Sequence, residues 1–267
     1  MGQMLLSLWT WFEIALCAVV GFLMQLVLAP FTLPFDRRRI IVGRCFRLAG
    51  VTAARLTPFW RFGVYGDVPR RIDGRTVFVS NHESQADPFL ISFLPWEMKW
   101  LGKASLFRIP IAGWSMALAG DIPIHRGEGR SAKGAMDRCK QWLERGVPVI
   151  FFPEGTRSPD GKMGPFKDGA FKLALDSGAQ IIPIAVCGTR KALPKHSWKF
   201  GFTRALVAVG TPIPTIGRDA SDLEAIKAEA RAQIEALRAR MLPLTGAGGL
   251  RNKAEVERSA LKVSTGV

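Results

Sequence analysis

The sequence predicts an α/β fold: a largely parallel mixed sheet flanked by helices, with an N-terminal helical membrane anchor. Two observations predict it. From about residue 69 onward, short apolar runs alternate with stretches of helical periodicity, and alternating β and α elements imply helices laid on a mostly parallel sheet. Ahead of them lies a long, nearly uncharged segment. The chain therefore divides into a membrane anchor helix at 1–35, a basic amphipathic juxtamembrane region at 36–68, an α/β domain at 69–243 and a mobile tail at 244–267.

Between Met4 and Phe35 the only charge is Glu13, and Ile14 to Ala29 is wholly uncharged, closed by Pro30 and Pro34. That run alone rises about 24 Å as a helix, short of the ~30 Å hydrocarbon core. Starting near Leu5 makes it long enough to span, with Trp9 and Trp11 at an interface. A re-entrant anchor in one leaflet, turned back by Phe31 to Phe35, is the alternative. No Lys or Arg precedes the run, so a secretory signal peptide fits poorly. The segment is apolar on every face, which argues against a buried soluble helix.

Asp36 is followed by Arg37, Arg38 and Arg39, then Arg44, Arg47, Arg55 and Arg61. The positive-inside tendency places this side, and the active site, on the cytoplasmic face of the cell inner membrane. Ile40, Ile41, Val42, Phe46, Leu48 and Val51 are compatible with an amphipathic helix lying on anionic lipid, although Gly43 weakens it. The whole chain of 267 residues carries 37 Lys and Arg against 22 acidic residues, a net +15. Such a balance favours polyanionic partners. Nucleic acid is disfavoured, because the arginines cluster beside the anchor and lack interleaved exposed aromatics for base stacking.

Next come candidate strands at 76–80, 99–101, 121–124, 147–152, 181–186 and 205–209, with helices at about 88–94, 110–119, 131–145 and 168–177. In the third helix Ala132, Ala135, Met136, Cys139, Trp142 and Leu143 share one face, and Gly146 ends it. A last helix at 219–242 opens on a Ser221-x-x-Glu224 capping box and carries an apolar stripe. Cys17, Cys45, Cys139 and Cys187 lie far apart with no CxxC spacing, which suggests neither a zinc site nor a disulfide framework. With three histidines in the chain, a histidine-based metal cluster is also disfavoured.

The stretch VFVSNHESQADPFL, residues 77–90, concentrates the chemistry. A strand runs into Ser80-Asn81-His82, and Asp87-Pro88 reads as a helix start, with Asp as the cap and Pro at the first position. The short loop can fold the Asp87 carboxylate against the His82 imidazole. Neutral histidine accepts a proton from an alcohol, and a carboxylate on its other nitrogen fixes the tautomer and stabilises the imidazolium. His125 and His196 are discounted as the base: neither has a carboxylate close behind it, and both sit beside basic residues. Gly155-Thr156-Arg157 offers a flexible backbone, a hydroxyl and a guanidinium, a set suited to phosphate. Gly127 to Ala132 satisfies G-x-G-x-x-A, but Pro123 in the preceding strand and the crowding arginines 126 and 130 disfavour a dinucleotide site.

Asn81-His82 with Asp87 five positions on resembles the NHxxxxD signature of the glycerolipid acyltransferases, and Phe152 to Ser158 resembles that family's FPEGTRS signature. Two motifs in the right order, about 65 residues apart, are far more specific than either alone. Within the family the pattern is most similar to bacterial lysophosphatidic acid acyltransferases. The resemblance spans roughly residues 60 to 215, and it implies His82 as general base oriented by Asp87. Arg126, Glu154, Gly155, Thr156 and Arg157 are implied to surround a glycerol-phosphate acceptor, with both arginines on the phosphate. Glu154 either holds the hydroxyl-bearing part of the acceptor or orients an arginine, and both readings stay open. The implied donor is an acyl thioester of coenzyme A or acyl carrier protein, and the implied acceptor a membrane lysophospholipid. No cofactor, metal or acyl-enzyme is called for; another lyso-acceptor, such as a lyso-aminolipid or glycerol phosphate, is the alternative.

Overall fold

Val77, Phe78 and Val79 sit in the middle of the sheet and point to alternate faces, so one short run feeds two cores. The computed structural model describes residues 2–125, 129–157, 161–194 and 197–245. Its elements are, in order, α1 (Gly2–Thr32), α2 (Ile40–Leu56), β1 (Trp60–Tyr65), β2 (Thr76–Ser80), α3 (Asp87–Ile91), β3 (Lys99–Lys103), α4 (Ala112–Ala119), β4 (Ile122–Ile124), α5 (Gly129–Glu144), β5 (Val149–Phe151), α6 (Gly169–Ser177), β6 (Gln180–Cys187), β7 (Thr203–Val209) and α7 (Leu223–Met241). The strands form one seven-stranded sheet in the order β1-β7-β6-β2-β5-β3-β4. Every pairing is parallel except β6 with β7. The predicted α/β class with a largely parallel mixed sheet is the architecture found.

On one face Val77, Val79, Val149 and Phe151 pack with Leu143 of α5, Phe171 of α6 and Ile226 and Ile234 of α7. On the other, Phe78, Ile150, Ile182 and Ile184 pack with Leu90 and Ile91 of α3 and with Trp96 and Trp100. Burying side chains of this size contributes roughly 1.5–3 kcal/mol each. β2 and β6 are buried along almost their whole length, as continuous apolar runs in a parallel sheet should be.

Several boundaries differ from expectation for identifiable reasons. β1 is a strand that the apolar-run criterion misses: it lies at the sheet edge beside β7, five of its six residues stay partly or fully open to solvent, and its sequence is WRFGVY. Pro30 does not close α1, which continues to Thr32. It lies in the last turn, where it removes one hydrogen bond only. The capping box before α7 is made by Asp219 and Asp222 rather than Ser221 and Glu224, since Asp219 accepts from Ser221 N at 2.7 Å and Asp222 from Asp219 N at 3.1 Å.

The face α1 turns toward the protein carries Ser7, Thr10, Gly21, Gln25 and Ala29, all buried. A Cβ on Gly21 would come within 2.6 Å of the Ala49 Cβ, so the two helices touch there. Gln25 donates to the Val42 carbonyl at 2.9 Å, and the Thr10 and Thr57 hydroxyls lie 3.1 Å apart. Leu5, Leu8, Trp9, Phe12, Leu16, Val20, Leu23, Val27 and Phe31 face outward. The small and polar side is thus inside and the apolar side outside. By length and composition α1 is able to cross a membrane.

Candidate active site

β2 ends at Ser80, and the chain is pinned at once. The Asn81 side chain donates to the Val186 carbonyl at 3.0 Å and accepts from the Val186 N–H at 2.8 Å, tying the loop to β6. That bidentate clamp aims the next residue, His82, out of the carboxyl end of the sheet, where open α/β sheets place ligands. Ser84 closes the inner side: its hydroxyl donates to Leu193 O and accepts from Ala86 N. With both contacts made to backbone, Ser84 is a structural residue.

Asp87 is buried at the first turn of α3, but it is not the cap expected from the Asp-Pro pair, because its carboxylate turns back onto the loop. Oδ2 accepts from the Glu83 N–H at 2.8 Å and the Ser84 N–H at 3.0 Å, and lies 2.7 Å from His82 Nδ1. Oδ1 accepts from the Thr189 hydroxyl. Two backbone N–H groups and a hydroxyl therefore converge on one carboxylate and use it as an acceptor. With Nδ1 as the donor to this acceptor, the tautomer leaves Nε2 able to accept a proton. Nε2 has no hydrogen-bond partner among the described residues, and the imidazole is 13% exposed. The ring stacks on Phe152, centroids 4.0 Å apart, so it is fixed on its flat side as well as at its edge.

The second motif meets the first directly. Glu154 is buried and bridges two backbone donors, His82 N–H to Oε1 and Gly164 N–H to Oε2, both at 2.8 Å. Its geometry braces the histidine loop, an outcome that neither open reading of Glu154 contained. Gly155 follows at φ 71°, in the left-handed region, and a Cβ there would approach Lys167 Nζ to 2.9 Å. The turn brings the Lys167 amine beside Gly155, with Thr156 exposed and Arg157 half-buried next in line. Arg126 lies outside the described residues, as does His196. His125 follows β4 at the sheet edge, three strands from β2.

Sequence reasoning missed Thr189, Phe152 as a stacking partner, and the pair formed by Glu83 with Arg238 of α7 at 2.7 Å. Burial, and secondarily the nearby Asp87, push the Glu83 carboxyl up, while Arg238 pulls it down. Thr189 and Arg238 lie more than a hundred residues downstream of the loop, and only the threading of β6 and α7 past β2 reveals them. Among the described residues no three His, Cys, Asp or Glu side chains form a cluster able to hold a metal ion.

Comparison with known proteins bears on this site. The family model described as Acyltransferase matches residues 61–187. A chloroplastic 1-acyl-sn-glycerol-3-phosphate acyltransferase of Arabidopsis thaliana is 38% identical over 192 residues, covering 68% of this chain and 52% of the relative. One from Brassica napus is 37% identical over 185 residues, covering 67% and 52%. The chain thus spans about half the length of these plant relatives. The 1-acyl-sn-glycerol-3-phosphate acyltransferase of Pseudomonas aeruginosa is 29% identical over 216 residues, 79% of this chain and 82% of that one. The crystal structure of the 1-acyl-sn-glycerophosphate acyltransferase of Thermotoga maritima shares the fold, with a TM-score of 0.73 at 24% identity over 90% of this chain and 95% of that chain.

Proposed function

Residues 61–187 belong to the acyltransferase family, and from that premise we propose that the chain is a membrane-bound O-acyltransferase that converts lysophosphatidic acid to phosphatidic acid. The observation that carries the reading is the His82 Nδ1 to Asp87 Oδ2 contact of 2.7 Å, made while Glu154 of the second motif holds the His82 N–H. Nε2 takes the proton of the acceptor's free glycerol hydroxyl as the oxygen attacks the thioester carbonyl. The new C–O bond forms, the C–S bond breaks, and the thiolate of coenzyme A or acyl carrier protein leaves. The proton held on the imidazolium passes to that thiolate, so the histidine is regenerated. Asp87 stabilises the imidazolium between the two steps. Arg157 and Arg126 take the acceptor phosphate, with Gly155 and Thr156 shaping the turn beneath it.

The outward apolar face of α1 supports membrane binding. Gln3 donates to Phe200 O at 3.0 Å and Trp11 to Trp198 O at 2.8 Å, so a helix standing across the bilayer would drag the loop at 197–200 into hydrocarbon. This favours an anchor lying within one leaflet, and the arginines that follow α1 favour the cytoplasmic face of the inner membrane. The test is incubation of membranes bearing the protein with lysophosphatidic acid and labelled acyl thioesters, wild type against His82→Ala. Label should appear in phosphatidic acid with the wild type alone. Full activity in the variant would remove His82 as the base. Competition by lyso-aminolipids or glycerol phosphate separates the acceptors.

A further inference from the structure

Where α2 hands over to β1, a groove of about 410 Å³ opens between Ala54, Arg55, Trp60, Arg61, Phe62 and Phe93. Its walls are aromatic. Trp60 stacks on Phe62 with centroids 4.9 Å apart, and Phe62 meets Phe93 edge-on at 6.5 Å. Its charges are both positive. The Arg55 guanidinium lies over the Phe93 ring at 5.4 Å, and Arg61 donates to the Trp60 carbonyl at 3.1 Å. Neither arginine has a carboxylate partner among the described residues. Acids nearby in the sequence are fewer than the arginines, since the chain from Glu13 to Asp67 holds seven arginines and three acids, Glu13, Asp36 and Asp67.

The groove also opens at a particular level. Leu56, next to Arg55, and Leu48, two turns earlier, are each 58% exposed, so α2 as well as α1 turns large apolar side chains outward. Exposed arginines bordering such a surface stand at the depth of lipid head groups. β1 runs opposite to β2, so Trp60 to Phe62 lie at the His82 end of the sheet. β7 and β6 intervene, a separation of three strand spacings or about 14 Å.

We propose that this groove binds the phosphate of an anionic membrane phospholipid that is not the acyl acceptor, with Arg55 and Arg61 on the phosphate and Trp60, Phe62 and Phe93 against the adjoining glycerol and first methylenes. A lipid seated there fixes the height and tilt at which the His82 cleft meets the bilayer. The inference rests on the membrane-bound reading above.

The test measures binding of the full chain to phosphatidylcholine vesicles with and without phosphatidylglycerol. It compares wild type, Arg55→Gln/Arg61→Gln, and Arg37→Gln/Arg44→Gln, which removes the same charge from the same basic region. Diffuse attraction costs both pairs alike, at about fivefold per arginine. A built site makes the 55/61 pair weaken binding to the phosphatidylglycerol vesicles by roughly a further tenfold. Equal losses in the two pairs would overturn the site. Displacement of vesicles by free glycerol phosphate at comparable concentration would overturn the lipid assignment, leaving a soluble-phosphate site. Acyl transfer to a water-soluble short-chain acceptor should be unchanged in Arg55→Gln/Arg61→Gln, and its loss would move the groove into the catalytic site and overturn the proposal. Failure of the wild type to bind any vesicle would sink the membrane-bound reading itself.

Discussion

Arg238 of α7 donates from one nitrogen to the Glu83 carboxylate at 2.7 Å and to the Gly161 carbonyl at 2.8 Å. Glu83 directly follows His82, and Gly161 lies in the segment that Glu154 braces through Gly164. One guanidinium therefore ties together the loops that carry both motifs. It does so from a helix beyond the 61–187 family match, so the site is completed by an element outside the matched domain.

Arg238→Ala should slow acyl transfer without touching the base itself, and Arg238→Lys should restore part of the loss. It should also give stability a pH dependence of known sign. Without Arg238, only the Gly188 backbone hydrogen bond still opposes burial and Asp87, so the Glu83 carboxyl is raised further in the folded state. A raised folded value gives stability that is present below the ordinary carboxylate range and is lost as pH rises through the folded value. Denaturant unfolding at a series of pH values should show the gap between wild type and Arg238→Ala widening toward higher pH. A gap independent of pH would mean that Glu83 is not the group affected.

Asp87→Asn keeps the shape and removes the charge. The amide presents donors to a pocket already furnished with the Glu83 and Ser84 N–H groups, the Thr189 hydroxyl and His82 Nδ1. Acyl transfer should fall by about 10²–10⁴, the range in which oriented base catalysis operates. Structural damage separates from chemical damage by comparison with Thr189→Val, which should lower stability by about 1 kcal/mol and rate far less. Equal rate losses in the two variants would show that Asp87 acts only as scaffold.

Much of this was legible along the chain, for physical reasons that differ by element. β2 and β6 announce themselves because both faces of a parallel sheet are buried, so their runs are unbroken. The His82–Asp87 contact was legible because both partners sit in one six-residue loop. Glu154 was legible as a residue of the second motif, but its brace on the histidine loop was not. Its partner is a backbone N–H, which carries no residue signature. β1 was hidden by its edge position, and α1 by the opposite effect: a continuous apolar run conceals that its few small and polar residues form the protein-facing side.

Arg157→Ala should chiefly raise KM for the acceptor, with kcat preserved, if the guanidinium binds the phosphate equally in the ground and transition states. Steady-state kinetics with lysophosphatidic acid of fixed chain length checks it. A lower kcat at unchanged KM would place Arg157 on the developing charge instead.

The fold depends on a second ion pair with no part in the chemistry. Lys99 Nζ lies 2.9 Å from Glu97 Oε1 and 3.0 Å from the Arg39 carbonyl, and both charged side chains are buried where α2 meets the sheet. Burial pushes the Glu97 carboxyl up and the Lys99 amine down. The carboxylate packs on Gly43, where a Cβ would come within 2.1 Å of it, so the glycine that weakens α2 as a helix is what admits the pair. Glu97→Ala strands a buried amine and should cost about 3–5 kcal/mol, whereas Glu97→Met with Lys99→Met removes both charges and should cost less. The Glu97→Ala penalty should shrink as pH rises toward the ordinary lysine range, because a depressed amine value gives stability that is lost as pH falls. Denaturant melts of the single and double variants decide it, and a double variant as unstable as the single one would mean that packing, not the stranded charge, is what Glu97 provides.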